Sequence, residues 1–341
     1  MTGAAPLPVT VLAGFLGAGK TTLLNHLLRG DHGLRLGVLV NDFGAINIDR
    51  RLVDFFEQDT ISLTNGCVCC TNQGDLVAGV QRVLALPVPP QHLVVEASGV
   101  ADPFAIAGAF RSTRLRDRTR LDAIVTLVDA ENARNPRLDR QLIEEQIRAA
   151  DLLVINKVDL VDSDRVAELG RWVRAIVPNA RVLETRDSSV PTALLLGGPG
   201  ETPQAREGRA PDDRRPAVTP HRAHDHAGGF GTWSYETSRP LAYRRVRAAL
   251  ESLPATVFRA KGILALADAP GLRFVAQVVG RRVAIDVAGP WEDRPPRTEL
   301  VLIGAPGALS GGDVSSLFDG CVTAAVPLLP VIAPVLRSGR Q

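Results

Sequence analysis

Lysine is nearly missing from this sequence: Lys20, Lys157 and Lys261 are the only three, against 36 arginines. In so arginine-biased a chain, a lysine hints at a position that a planar guanidinium does not serve. Excess charge of one sign is missing as well. Thirty-nine basic and 37 acidic residues leave a formal net charge of +2, so bulk electrostatics supplies no case for nucleic acid or a membrane as partner. Long apolar runs are also lacking. The C-terminal stretch Val322 to Leu336 is broken by Pro327, Pro330 and Pro334 and is too short to span a bilayer; it is expected to pack on the surface in extended form. No basic residue precedes the first apolar segment, which is already used as a strand, so no signal peptide is expected and the reading is cytoplasmic. Only four cysteines occur. That excludes a disulfide framework and points to metal or redox chemistry, because three of the four fall within the four residues Cys67 to Cys70. At 341 residues the chain is long enough for about two domains.

What is present is organised around Val9 to Thr22, VTVLAGFLGAGKTT. Gly14, Gly19, Lys20 and Thr21 fill the pattern G-x-x-x-x-G-K-[ST], with Gly17 adding freedom for backbone N–H groups to converge on phosphate oxygens. Gly14, Gly17, Ala18, Gly19, Lys20, Thr21 and Thr22 are therefore the candidate nucleotide cradle. Lys20 would reach the β- and γ-phosphates and Thr21 would hold Mg²⁺. Val9 to Leu12 reads as a buried strand and Thr21 to Leu28 as a helix facing the anion, an order that argues against an incidental glycine-rich turn.

Three further segments follow strands. Leu36 to Val40 leads into NDFGAINID, Asn41 to Asp49, whose Asp42 is a candidate for Mg²⁺ handling in a switch segment; an ordinary turn is the alternative. His92 to Glu96 ends in a carboxylate followed by Gly99, the form of the metal-sensing segment of phosphate-loop hydrolases, with Glu96 where Asp is commoner. Leu152 to Asp159 ends in Asn156-Lys157-x-Asp159, which selects guanine: Asp159 can accept from the ring N1–H and the exocyclic amine, while Asn156 and Lys157 fix the loop and cover the base. GTP is the expected nucleotide.

Between the first two of these segments lies Asn65-Gly66-Cys67-Val68-Cys69-Cys70. Cys67 and Cys69 share a face in extended chain and a kink could turn Cys70 toward them, giving three thiolates that favour Zn²⁺ or Cu(I). A Cys67-x-x-Cys70 redox dithiol and inert buried thiols are the alternatives. Cys321 reads as core.

Alternating apolar strands and helices over residues 1–196 predict an α/β domain with a mostly parallel sheet, its ligands at the strand carboxyl ends. Residues 197–231 are polar, rich in Gly, Pro and Arg, and carry His221, His224 and His226; they read as a linker. Residues 232–341 read as a smaller α+β domain with an antiparallel sheet and helices at Leu241 to Leu250 and Val314 to Cys321. Within it, Arg259-Ala260-Lys261-Gly262 is either an exposed basic turn or a ligand contact.

These motifs together resemble the CobW family of P-loop GTPases, relatives of the UreG and HypB nickel chaperones. The resemblance rests on GFLGAGKTT, NDFGAINID, NGCVCC, EASGVADP, NKVD, the His-containing linker, and RP at Arg239 and RAKG at Arg259. It implies a GTP-hydrolysing metallochaperone that binds Zn²⁺ or Co²⁺ through Cys67, Cys69 and Cys70 and delivers it to a client metalloprotein. Lys20, Thr21 and Glu96 would be its catalytic residues. The second motif departs from the family's Asn-Glu-Phe-Gly-Glu: Asp42 is one carbon shorter and Ala45 has no donor, so fewer oxygens are available there. A GTP-dependent metal sensor and a thiol redox protein are the competing functions.

Overall fold

The computed structural model describes residues 6–40, 60–62, 73–196, 230–292 and 294–323. Asp42, Ala45, the three clustered cysteines, the linker histidines and the apolar tail beyond residue 323 lie outside the described residues.

The first sheet holds seven strands: β1 (Leu7–Gly14), β2 (Leu36–Val40), β3 (Thr60–Ser62), β4 (His92–Glu96), β5 (Thr119–Asp129), β6 (Leu152–Asn156) and β7 (Val182–Thr185). Their order is β3-β2-β4-β1-β5-β6-β7, and every ladder is parallel. Parallel strands need covered faces, and here they have them. Alternation along β1 sends Leu12 to a cluster containing Leu23, Leu24 and Leu27 of helix α1 (Lys20–Arg29). Val9, Val11 and Ala13 point instead to α2 (Gln73–Leu84) and α3 (Pro103–Ala109). Helices α4 (Arg140–Ala149) and α5 (Ser163–Ile176) cover β6, and the short α6 (Thr192–Leu196) returns to the α1 face.

The second sheet is antiparallel, ordered β11-β10-β9-β12-β8 from β8 (Gly231–Thr237), β9 (Val257–Ala265), β10 (Leu272–Val279), β11 (Arg282–Pro290) and β12 (Thr298–Gly304). Helices α7 (Tyr243–Glu251) and α8 (Gly311–Asp319) cover one face around Val246, Leu250 and Phe318. From the other side Phe258, Val279 and Ile303 enter the hydrophobic cluster of the first domain, so the two domains share packed core.

The RAKG segment is neither an exposed turn nor a surface patch. It lies inside β9, and Arg259 is 2% exposed. What draws a guanidinium into that position is Asp122. The β1–β5 register slips between Val9 and Thr10, leaving Asp122 as the extra residue of a bulge in β5. Its carboxylate faces Arg259 at 3.6 Å and Arg120 at 3.3 Å. Arg259 also donates to the Leu194 carbonyl of α6 at 2.9 Å. Burial, the largest single influence, works against the Asp122 carboxylate, but Arg259 together with His92, Arg120 and Lys261 outweighs it and holds the carboxyl below its usual range. Beside it, Thr10 Oγ1 and His92 Nε2 share a 2.8 Å hydrogen bond.

More arginines bind the domains at the amino-terminal ends of the strands. Arg181, just before β7, donates to the carbonyls of Val257 at 2.5 Å and Leu253 at 3.4 Å; burial lowers its pKa to about 10. Arg281, in the β10–β11 turn, donates to the Ala150 carbonyl at 2.6 Å and the Arg148 carbonyl at 3.1 Å, satisfying orphan acceptors at the end of α4. Arg282 pairs with Asp151 at 2.8 Å.

Helix α7 starts at Tyr243 rather than Leu241, because Leu241 bridges to Leu266 and Val322 and the Tyr243 N–H is taken by the Asp268 carboxylate at 2.7 Å.

Removing one partner of a buried ion pair strands the other. Arg259→Met should therefore cost about 3–5 kcal/mol in denaturant unfolding, and Arg259→Met combined with Asp122→Leu should recover much of it. Equal losses in the single and double variants would contradict the pairing. His92 gives a pH signature. Burial, its largest influence, lowers its pKa from 6.5 to about 4, against the pull of Asp122. Unfolded chains bind the extra proton first, so stability present above the unfolded pKa falls as pH drops toward 4, by on the order of 3 kcal/mol in full. Urea midpoints at pH 7 and pH 5 for the native chain and His92→Gln test this: the variant should lose less.

Candidate functional site

The phosphate loop joins β1 to α1. Gly14 closes the strand at φ 132°, and a Cβ there would collide with the backbone of Leu127 on β5. Gly19 stands at the N-cap of α1 with φ 104°, and its missing side chain leaves room for Asn156 and Ser188. Gly19 has no side chain to cap α1, whose N-terminus follows directly on the loop. Ala18 is buried, Gly17 and Thr22 are exposed, and Lys20 is 7% exposed. The Lys20 ammonium donates to the carbonyls of Gly14 at 2.9 Å and Phe15 at 3.2 Å, curled over its own loop.

Thr21 and Glu96 come together although 75 positions apart: Thr21 Oγ1 donates to Glu96 Oε1 at 2.6 Å. The pairing is a consequence of β1 and β4 being neighbours, with Leu12 in register with Glu96. A hydroxyl and a carboxylate meeting beside the loop form a hard oxygen donor set, which suits Mg²⁺.

The Asn-Lys-x-Asp residues reach the same end of the sheet. Asn156, at the tip of β6, donates through Nδ2 to the Ala18 carbonyl at 2.9 Å and to Ser188 Oγ at 2.8 Å, and accepts from the Ser188 N–H at 2.8 Å. Ser188 Oγ donates onward to the Gly19 carbonyl at 2.9 Å. Lys157 takes a left-handed φ of 63°, and its ammonium pairs with Asp129 at 2.7 Å. Burial would raise the Asp129 carboxyl, but Lys157 and the Asn132 amides hold it below its usual range. Asp159 sits exposed in the 3₁₀ turn Val158–Leu160.

Ser188 was not singled out by sequence reasoning. It follows β7 with Asp187 and Ser188 both at positive φ, 47° and 56°, a strained pair that no short motif announces. Cys321 is buried as expected; burial raises its thiol and its Sγ donates to the Leu317 carbonyl at 3.4 Å. Among the described residues no three His, Cys, Asp or Glu side chains gather to hold a metal, and no helix is long and apolar enough to cross a membrane.

Residues 8–184 match the family described as CobW/HypB/UreG, nucleotide-binding domain, and residues 230–322 match the one described as Cobalamin synthesis protein cobW C-terminal domain. Relatives include a zinc chaperone CobW from Sinorhizobium, 30% identical over 87% of this chain and 92% of its own length. The zinc-regulated GTPase metalloprotein activator 1 of Dictyostelium discoideum is 30% identical over 85% of this chain and 69% of its own. Among solved structures, Zn(II)-bound YjiA GTPase from Escherichia coli aligns over 94% of this chain and 100% of its own, at 25% identity and a TM-score of 0.42. With both sheets covered by family matches and such relatives along most of its length, this chain belongs to the CobW family of P-loop GTPases.

Proposed function

We propose that this GTPase is a cytoplasmic metallochaperone, which takes Zn²⁺ or Co²⁺ as cargo on Cys67, Cys69 and Cys70 and hands it to a client metalloprotein under control of its nucleotide. The observation that carries the reading is the contact of Thr21 with Glu96 beside the phosphate loop. Glu96 ends one strand whose following segment can sense the nucleotide, and the cysteines precede that strand in the chain. The printed names of the relatives, zinc chaperone and zinc-regulated activator, point the same way.

In this mechanism Lys20 exchanges its two loop carbonyls for the β- and γ-phosphate oxygens, and the first N–H groups of α1 add to the same cradle. Thr21 and Glu96 would hold Mg²⁺, with Asp42 as a further candidate. When bound, that ion neutralises charge on the transferred phosphate. Asn156 keeps the phosphate loop and the Ser188 loop in register, while Asp159 accepts from guanine. Loss of the γ-phosphate relaxes the segment after Glu96, and the thiolates rearrange with it.

Asp159→Asn replaces an acceptor by a mixed group facing two guanine donors. GTP affinity should fall roughly ten- to a hundredfold while ATP affinity changes little, as read by competition binding. Equal affinity for ATP and GTP in the native chain would remove the guanine assignment. Metal delivery has its own test, because coupling between two binding sites is reciprocal. With a non-hydrolysable GTP analogue, Zn²⁺ or Co²⁺ affinity should shift by about 5- to 150-fold, and the analogue's affinity should shift equally on adding metal. Replacing Cys67, Cys69 and Cys70 by Ser should abolish that increment and leave metal-free GTP binding unchanged. A metal affinity indifferent to nucleotide would defeat the delivery mechanism; a nucleotide-controlled metal that no client draws off would favour the sensor.

A further inference from the structure

Helix α4 buries Ile143, Gln146, Ile147 and Ala149 along one stripe, and Gln146 breaks its apolar pattern. At 1% exposure a carboxamide costs free energy unless its polar atoms are partnered. Its Nε2 donates to the Gly99 carbonyl at 3.0 Å and the Ala101 carbonyl at 3.3 Å, while its Oε1 has no hydrogen-bond partner among the described residues. Both neighbours are acceptors, which fixes the amide orientation with nitrogen toward them. These carbonyls belong to the segment that leaves β4 at Glu96. That segment is already drawn against the phosphate loop: a Cβ on Gly99 would lie 2.6–2.7 Å from atoms of Leu16. Ala97 N–H donates to Leu12 O at 2.8 Å, and Ala101 N–H to Ser98 O at 3.0 Å. Leu16 is exposed, whereas the Gln146 amide is buried and directional.

We propose that Gln146 is a positioning residue for GTP hydrolysis: from the core of α4 it pins the Gly99 and Ala101 carbonyls, and so presents the segment after Glu96 to the γ-phosphate end of the nucleotide. It touches neither nucleotide nor metal and acts through that segment alone. Its two donated hydrogen bonds stiffen the approach of Gly99 without bringing a charge near the phosphates. The inference rests on the GTPase assignment and is independent of metal delivery.

The test uses the full chain with Gln146→Met, which keeps length and apolar bulk but donates nothing, and Gln146→Glu, which keeps the shape. In Gln146→Met, kcat at saturating GTP should fall roughly tenfold, the effect of losing about one net hydrogen bond. GTP and GDP affinities should stay within about twofold, since one net hydrogen bond remote from the ligand is at issue. Amide hydrogen exchange over residues 97–102 should quicken with the GTP analogue bound. In Gln146→Glu the carboxylate cannot donate but the protonated acid can, so its kcat relative to the native chain should rise as pH falls. Unchanged kcat, or loss of kcat and GTP affinity together with a matching drop in melting temperature, would overturn the positioning role. Faster exchange without a change in kcat would do so too. Native-chain hydrolysis in the same assay reports on the GTPase assignment separately.

Discussion

Asn156 is the joint on which the nucleotide end of this molecule turns. Its single carboxamide holds the phosphate loop at Ala18 and the Ser188 loop at two points, and Ser188 closes the circuit at Gly19. A buried amide that spends its polar atoms this way cannot shift without stranding several partners at once. The requirement passes back to the glycines, because any side chain at Gly19 would occupy the space of the Asn156 and Ser188 groups. The elements expected to hold phosphate and base are thus fixed to each other by protein contacts, which reduces the ordering cost of binding.

The amino-terminal ends of the strands carry a different chemistry. Where the carboxyl ends have open backbone and hydroxyls, the other ends have arginines: Arg181, Arg259, Arg281 and Arg282 each span the two domains. A planar guanidinium satisfies several carbonyls or a carboxylate from one position, which these four sites use. Lys20 and Lys157 sit at the opposite end, where a compact charge reaches two carbonyls in one case and one carboxylate in the other.

The apolar strands and their carboxyl-end motifs were readable because burial on both faces writes an uninterrupted hydrophobic run. What hid from the sequence was polar residues serving the core. Strand β5 begins at Thr119, but Arg120 and Asp122 interrupt its apolar pattern because they face the second domain. The same holds for Arg259, whose neighbourhood read equally well as a surface turn until Asp122 supplied its partner. Helix α3 left a local signal that was passed over: Asp102 accepts from the Phe104 N–H at 2.8 Å, directly before Pro103, an N-cap followed by proline at the first helical position. No local pattern points to Ser188 or Gln146, since their importance comes from partners 32 and 47 positions away.

The arrangement also limits how the second domain can influence the nucleotide end. Strand β4 runs from His92, beside the ion cluster, to Glu96, but ladders to β2 from His92 onward and to β1 from Leu93 onward hold it on both sides. A strand locked into two registers cannot slide without breaking both, so it is a poor carrier of small displacements. Helix α4 is held differently. Its carboxyl end is gripped by Arg281 of the second domain, whose side chain donates to the Arg148 and Ala150 carbonyls and whose N–H donates to the Asp151 carbonyl, and one turn earlier it holds the Gly99 and Ala101 carbonyls through Gln146. Helices packed on a sheet through apolar side chains slide or rotate by an ångström or two at low cost. A change in how the second domain holds Ala150 would therefore reach the segment after Glu96 through a single short rod. Reciprocity follows: whatever orders that segment at the nucleotide must also favour one seating of the β10–β11 turn on the end of α4.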